Sequence, residues 1–231
     1  MNAGLTAIVP VRGGEGGKTR LSGFLDARER SALVRELADR VLTAVLDSSV
    51  ADRVVVLTRD AGYAAVVQDT LPEVDILVQP DVVIGLNAGL DFARDACPAA
   101  AHLVVFADLP LIRAGDIRAF AESGAGVTIC PDRHGTGTNA LLLRGEQSSD
   151  FQFAFGTSSH ARHVDEALRL GLNAREEPVS SLRFDLDTVD DWCDLPVPVR
   201  IDLARRIGMS DERAGVDGML ASGVDGERFA G

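Results

Sequence analysis

The sequence predicts an α/β protein built on a single doubly wound, mostly parallel sheet. Short apolar runs of strand length alternate along the chain with longer stretches of helical periodicity. These runs are nearly continuous in apolar residues, which is typical of strands buried on both faces. The segments richest in charged, hydroxyl and glycine residues follow the runs. Since open α/β sheets bind ligands at the carboxyl ends of their strands, these segments predict one binding face.

Composition limits the possible partners. The chain has 231 residues, of which 46% are hydrophobic, and a net charge of −12. Its length suits one α/β domain with or without an appendage. The acidic charge argues against a broad surface for nucleic acid or for an anionic membrane. Three cysteines are too few and too scattered for a disulfide framework or a zinc cluster. No apolar run approaches membrane-spanning length, so we expect a cytoplasmic protein.

The first strand is predicted over residues 5–11. A glycine-rich loop follows, with Arg12, Lys18 and Arg20 as its cations. Glycines let backbone N–H groups approach a phosphate, and the cations neutralise it. The loop is not a P-loop, because Arg12 stands where that motif needs a glycine. The alternative is a flexible, solvated loop. In either case we expect loss of Lys18 to change stability by less than about 0.5 kcal/mol, the usual range for exposed substitutions.

The next elements alternate regularly. Asp26 and Glu29 form a capping pair before a helix that runs to about residue 46. A strand over 53–58, a helix to about residue 71 and a strand over 75–79 come next. Gly85 and Asn87 open another helix, where they either grip a nucleotide base or ribose or belong to a plain N-cap.

The central strand begins at His102 and its apolar run ends at Asp108. A carboxylate in this place lies at the mouth of the sheet, unless it only caps a helix or a loop. After a helix over 114–122, strands are predicted over 127–130 and 141–143. The glycine- and hydroxyl-rich residues 131–140 between them form either a ligand-facing turn or a simple hairpin.

The remaining segments repeat this pattern. Residues 156–159 precede a helix and suit either an N-cap or an anion site. A last core strand is predicted over 183–186, which makes Asp185 and Asp187 a second acidic strand end. Thr188 caps a short helix. Residues 196–231 are predicted to be a C-terminal extension, partly helical (over 201–207) or flexible.

This inventory fits metal-assisted transfer of a nucleotidyl group. Two acidic strand ends can hold Mg²⁺, while the metal and the basic residues gather the charge of a triphosphate. If the acceptor is itself a phosphate, it is largely ionised at neutral pH and needs no general base. The sequence shows no obvious base.

Seven motifs recur in an order that matches one family. They are Val9-Pro-Val-Arg12, Gly17-Lys18-Thr19-Arg20-Leu21, Gly85-Leu-Asn87-Ala, Ala107-Asp108-Leu-Pro-Leu, Gly135-Thr-Gly-Thr138-Asn139-Ala, Phe155-Gly156-x-x-Ser159-x-x-Arg162-His163 and Asp185-x-Asp187-Thr. Over residues 5–194 the chain resembles the 2-phospho-L-lactate or phosphoenolpyruvate guanylyltransferases of deazaflavin coenzyme biosynthesis. It departs from them in the glycine-rich residues 13–17, where the family more often has bulkier side chains.

The resemblance implies a nucleotide-diphospho-sugar transferase-like fold, with a guanylyltransferase domain over residues 1–195. It implies that GMP passes from GTP to a small phosphorylated carboxylic acid, that pyrophosphate leaves and that the product passes to a downstream transferase. The implied catalytic residues are Lys18, Arg20 and Asp108, and the implied Mg²⁺ ligands are Asp108, Asp185 and Asp187. The implied substrate-binding residues are Arg12, Gly85, Asn87, Thr138, Gly156 and Ser159, of which the last three would hold the acceptor.

Two alternatives stay open. Another nucleotidyltransferase of the same fold, of the cytidylyl or sugar-nucleotide type, would share the acidic metal site. A non-catalytic GTP-binding protein would leave the two acidic segments unexplained. The acceptor is equally open among phosphoenolpyruvate, 2-phospho-L-lactate and 3-phosphoglycerate.

Overall fold

The computed structural model describes residues 4–12, 18–122, 126–145, 149–210 and 213. Within these ranges a seven-stranded sheet carries helices on both faces, as predicted. The strands are β1 (Leu5–Val11), β2 (Arg53–Thr58), β3 (Asp75–Val78), β4 (Ala101–Val105), β5 (Val127–Pro131), β6 (Thr138–Arg144) and β7 (Ala174–Glu176). The helices are α1 (Ala27–Ser48), α2 (Ala61–Thr70), α3 (Leu86–Ala96), α4 (Ala114–Glu122), α5 (Ser159–Arg169), α6 (Val189–Asp194) and α7 (Val197–Ile207). Most of the glycine-rich loop, residues 13–17, lies outside the described residues.

The strand order is β3-β2-β1-β4-β6-β5-β7. β1 runs parallel to both β2 and β4, β2 runs parallel to β3, and β5 runs parallel to β7. β6 is antiparallel to both of its neighbours, β4 and β5. The sheet is therefore mixed but mostly parallel. Because two antiparallel steps restore the direction, β5 ends at the same edge of the sheet as β4.

Alternate residues of the central strands enter two different cores, because successive side chains of a strand point to opposite faces. Val9 of β1 packs in a cluster that includes residues of α1, α2 and α4, whereas Ile8 packs with residues of α3 and α5. In β4, Leu103 packs in the same cluster as Val9, and Val104 packs in the same cluster as Ile8. Burial on both faces explains why these strands are continuously apolar.

The predicted strand over 183–186 is wrong. These residues form no ladder, and the seventh strand is instead β7, at the edge of the sheet beside β5. Both edges of β4 are already paired, with β1 and β6, so the segment cannot pair with β4. One backbone hydrogen bond, from Leu186 N–H to Asp108 O (3.0 Å), ties the segment to the chain beyond β4. The second acidic segment is therefore a loop.

Helix boundaries follow the predicted capping signals. Asp26 and Glu29 form a capping box at the start of α1, and Thr188 caps α6. The helix predicted over 201–207 begins earlier, at Val197, and packs on α1. The division of the chain at residue 195 stays a prediction. Among the residues described, none of the helices combines the length and apolar character needed to cross a bilayer.

Candidate active site

The segments predicted to bind ligands meet at the carboxyl ends of β1, β4 and β5. β1 and β4 are parallel neighbours, but the chain leaves β1 toward β2 and leaves β4 toward β5, on the opposite side. Such a switch point opens a crevice at the end of an α/β sheet. Lys18 follows β1, Asp108 follows β4, and the turn over 132–137 follows β5. The fold therefore brings three predicted segments to one edge.

Lys18 connects the loop after β1 to both acidic segments. Its ammonium donates hydrogen bonds to Asp108 Oδ2 (2.7 Å) and Asp187 Oδ1 (2.6 Å). The side chain is only 9% exposed, so the alternative of a solvated loop lysine is wrong. Burial lowers the pKa of Lys18, but the two carboxylates outweigh burial and raise the pKa above its ordinary value. The lysine is held by the turn Thr19–Leu21, whose Leu21 side chain is fully buried.

Asp185 lies beside this pair. Its Oδ1 accepts a hydrogen bond from Asn139 Nδ2 (3.4 Å), at the start of β6. Burial raises the pKa of Asp185, and the negative charges of Asp108 and Asp187 raise it further. Two carboxylates therefore share one ammonium, and the third carboxyl group, of Asp185, is close enough to both to be affected by their charge. The negative charge exceeds that of the ammonium and attracts a further cation.

The oxygen ligands available here suit a hard divalent cation such as Mg²⁺. Asp108 Oδ1 is buried and has no hydrogen-bond partner among the described residues, which fits an atom that can ligate a metal. No group of three or more acidic, His or Cys side chains is gathered closely enough to hold a metal ion in the described part of the chain. Asp108, Asp185 and Asp187 therefore stay predicted ligands.

Asp191 fixes the acidic loop, and the sequence analysis did not identify it as a site residue. Its Oδ2 accepts hydrogen bonds from the N–H groups of Asp187 (2.8 Å) and Thr188 (2.6 Å), while its Oδ1 accepts from Arg133. Burial raises the pKa of Asp191, but these hydrogen bonds and the charge of Arg133 bring it below its ordinary value. The Thr-x-x-Asp spacing indicates a capping box in the sequence. No sequence pattern indicates the pairing of Asp191 with Arg133.

Asn87 joins the start of α3 to the segment before α5. Its Oδ1 accepts from Phe155 N–H (2.8 Å), and its Nδ2 donates to Phe155 O (3.1 Å). Gly85 is the N-cap residue of α3, with a φ of 88° that suits glycine, and its carbonyl accepts from Gln79 Nε2 (3.1 Å). The observed role of Asn87 is to hold Phe155. A contact of Gly85 or Asn87 with the nucleotide stays a prediction.

The three residues predicted to bind the acceptor are neighbours in space. Thr138 Oγ1 contacts the imidazole of His163 (3.0 Å), one helical turn after Ser159 on α5. Ser159 N–H donates to Gly156 O (3.1 Å), and Gly156 has a φ of 116°. Ser158, not Ser159, occupies the N-cap position, and it makes no side-chain cap hydrogen bond. The hydroxyl of Ser159 is thus not used as a cap.

Arg12 and Arg20 are the remaining predicted site residues. Both lie next to the loop whose centre is not described, and both have exposed side chains. Exposure in this place is compatible with contact to a phosphate, and their roles stay predictions.

Comparison with known proteins shows the family to which the chain belongs. Residues 5–197 match the family model described as guanylyl transferase CofC like. A phosphoenolpyruvate guanylyltransferase of Sphaerobacter thermophilus is 39% identical over 191 residues, which cover 80% of this chain and 89% of that protein.

Solved structures show the same fold at lower identity. A candidate nucleotide-diphospho-sugar transferase from Desulfovibrio desulfuricans G20 superposes with a TM-score of 0.64 at 14% identity, covering 94% of each chain. Rv0371C of Mycobacterium tuberculosis, solved as a complex with manganese, gives a TM-score of 0.53 at 20% identity over 84% of this chain and 97% of its own.

Proposed function

We propose that this chain, which belongs to the CofC-like guanylyl transferase family, transfers GMP from GTP to the phosphate of phosphoenolpyruvate or 2-phospho-L-lactate. Pyrophosphate is released, and the product joins GMP to the acid through a diphosphate bridge for a step of deazaflavin coenzyme biosynthesis. The observation that carries this proposal is the buried Lys18 between Asp108 and Asp187 at the switch point of the sheet. Because GTP is a cytoplasmic substrate, we propose that the reaction takes place in the cytoplasm. We also propose that the product passes to a downstream transferase.

Lys18 is suited to hold the triphosphate. An ammonium has three N–H donors, and two of them are directed to Asp108 and Asp187. The third can donate to a phosphate oxygen. The charge of Lys18 is secure, because the neighbouring carboxylates raise its pKa despite burial. Arg20 and Arg12, on either side of the loop, supply further positive charge near the outer phosphates.

The acceptor acid is assigned to the start of α5. Backbone N–H groups at a helix N-terminus favour an anion, and Ser159 and Thr138 add hydroxyl donors beside them. In the reaction, an acceptor phosphate oxygen forms a bond to the α-phosphorus of GTP, and the bond from that phosphorus to the bridging oxygen of pyrophosphate breaks. The nucleophile is already anionic, so no residue has to remove a proton.

We propose Mg²⁺ as the metal, held by Asp108 with Asp185 and Asp187. When bound, it would neutralise charge on the triphosphate and so help pyrophosphate to leave. Chelation with EDTA should abolish transfer, and added Mg²⁺ should restore it. Full activity in EDTA would contradict this assignment.

The proposal is tested by mass spectrometry of products from each of GTP, ATP, CTP and UTP, with phosphoenolpyruvate, 2-phospho-L-lactate or 3-phosphoglycerate as acceptor. We expect a GMP adduct of one of the first two acids, with one pyrophosphate per adduct. A preference for CTP would instead indicate a cytidylyltransferase, and GTP binding without any adduct would indicate a binding protein.

The variant Ser159→Ala tests whether the start of α5 binds the acceptor acid or the nucleotide donor. Loss of one hydrogen bond to a charged group should lower kcat/KM for the acid roughly ten- to a hundred-fold, with GTP binding unchanged. The hydroxyl is not a helix cap, but the side chain is buried, so we expect stability to change by about 1 kcal/mol or less. Ser158→Ala is the control for the same helix start, since the Ser158 side chain is exposed and makes no cap bond. If the loss fell on GTP affinity instead, the start of α5 would belong to the nucleotide.

A further inference from the structure

His163 is a fully buried histidine with both ring nitrogens in use. Its Nε2 lies 3.1 Å from Ala154 N, and its Nδ1 lies 3.0 Å from Thr138 Oγ1. The ring packs against Phe155 and Phe151, with centroid separations of 4.6 and 5.8 Å. One side chain of α5 thus touches the start of β6 and the segment that leads to Gly156.

The partners of His163 define its protonation state. A backbone N–H is always a donor, so Nε2 must offer its lone pair to Ala154 N–H. In a neutral imidazole the proton is then on Nδ1, and Nδ1–H donates to Thr138 Oγ1. Burial lowers the pKa of His163 to about 4, with Arg162 and His160 contributing in the same direction, so the neutral form prevails at neutral pH.

This tautomer decides what Thr138 can do. A hydroxyl has one proton and two lone pairs, and here a lone pair accepts from His163. Thr138 is buried, with an exposed fraction of 2%. Among the residues that the structure describes, no acceptor is found for its hydroxyl proton. The proton is available for an anionic oxygen, and Thr138 lies one residue before Asn139, which contacts Asp185.

We propose that His163 is a positioning residue, which accepts from Ala154 N–H and donates to Thr138 Oγ1 so that the Thr138 hydroxyl is held as a donor to the acceptor acid. The inference rests on the proposed function for the identity of that acid. His163 itself does not touch the reacting atoms. It joins the two segments that form the acceptor site and orients one hydroxyl within it.

Two variants separate the two hydrogen bonds of His163. In His163→Asn the amide nitrogen lies near the position of Nδ1 and can still donate to Thr138, but the bond to Ala154 is lost. In His163→Gln the amide oxygen lies near the position of Nε2 and can still accept from Ala154, but the bond to Thr138 is lost. We expect His163→Gln to lower kcat/KM for the acid roughly tenfold, with the KM for GTP unchanged. We expect His163→Asn to lower kcat/KM for the acid much less than His163→Gln does.

A double-mutant cycle with Thr138→Val tests whether His163 acts through the hydroxyl. If it does, His163→Gln should cause little further loss in the Thr138→Val background. Independent, multiplicative losses would overturn the inference. So would equal losses of acid kcat/KM in the Gln and Asn variants, in proportion to their loss of stability, since a purely structural histidine would behave in that way.

A second measurement does not depend on activity. In ¹⁵N spectra of the wild-type imidazoles, with the His163 signals assigned by their loss in His163→Gln, Nδ1 should be protonated and Nε2 unprotonated at neutral pH. An Nε2–H tautomer or an imidazolium would overturn the positioning role while leaving the proposed function intact. Conversely, a wild-type protein that transfers GMP to none of the acids would overturn the proposed function, and with it the role of Thr138 toward the acid.

Discussion

At the scale of single residues, the site depends on one ammonium shared between carboxylates. Lys18 separates Asp108 from Asp187, and Asp185 lies close enough to both for their charges to raise its pKa. Removing the ammonium would leave partly buried carboxylates facing each other without compensation. The lysine therefore contributes to stability, contrary to the expectation from the glycine-rich sequence around it, in addition to its proposed role in substrate binding.

Lys18→Met should lower both the stability of the protein and its affinity for GTP. We expect the free energy of unfolding to fall by about 1–3 kcal/mol, below the range for fully buried pairs because Asp187 is partly exposed, and the KM for GTP to rise strongly. Urea unfolding and steady-state kinetics measure the two effects. Arg20→Met is the control for stability, since Arg20 is an exposed cation of the same loop and its loss should cost less than about 0.5 kcal/mol. Equal stability of the two variants would contradict the buried ion pair.

The pH dependence of stability should report His163. Its pKa is about 4 in the folded protein against an ordinary value of 6.5, so the unfolded chain binds a proton that the folded protein does not. Stability should therefore fall as the pH falls from 6.5 toward 4, by at most about 3 kcal/mol at about 1.4 kcal/mol per pH unit. Urea unfolding of wild type and His163→Gln across this range measures the difference. Parallel curves for the two proteins would show that the imidazole is not held neutral.

At the scale of elements, the acidic loop is positioned by a helix cap and by the hairpin between β5 and β6. Asp191 completes the capping box of α6 by accepting from Thr188 N–H, and at the same time it binds Arg133 from the turn after β5. Arg183 reinforces this connection by donating to Asp132 O (3.1 Å). The loop takes no part in the sheet, so these contacts replace the ladder that a strand would have provided.

Asp191→Asn should shift the position of Asp187, although Asp191 itself is not a predicted substrate contact. An amide oxygen can still accept from backbone N–H groups, but Arg133 loses its buried partner, so we expect a loss of about 1–3 kcal/mol in stability and a higher KM for GTP. Asp194→Asn is a matched control, because Asp194 also binds Arg133 (3.0 Å) but is largely exposed. That variant should lose less than about 1 kcal/mol. Thermal unfolding and kinetics of both variants measure the effects, and similar results for the two would rule out a specific role for Asp191.

At the scale of the whole molecule, a third cluster joins the sheet domain to the C-terminal helix. Leu203 and Ile207 of α7 pack with Leu33 and Leu37 of α1, in the same cluster as Leu21 of the loop turn. The helix thus supports the element that carries Lys18. It is packed as part of the core, although it lies beyond residue 195.

Leu203→Ala tests this packing. The side chain is fully buried, so its truncation should cost about 2–4 kcal/mol of stability. The kinetics of the folded enzyme should change little, because the helix does not line the site. Arg206→Ala, on the exposed side of the same helix, should cost less than about 1 kcal/mol. Denaturant unfolding compares them. A neutral Leu203→Ala would mean that residues 196–207 form an appendage independent of the core.

The sequence by itself determined the local elements and the list of reactive residues. Strand runs such as Arg53–Thr58, and the capping boxes that start at Asp26 and Thr188, depend on neighbours within a few residues, so their patterns are readable in the chain. The apolar runs that precede them also placed Lys18 in the loop after the first strand and Asp108 at the end of the central strand run.

Only the tertiary structure decided which of these residues meet. The contact from Lys18 to Asp187 spans 169 positions of sequence, and the tautomer of His163 follows from partners on two other segments. Residues 183–186 have the composition of a strand, but a strand also needs a free edge, and both edges of β4 were taken by β1 and β6. Edge availability and long-range pairing depend on the spatial order of the strands in the sheet, and a local sequence pattern carries no information about that order.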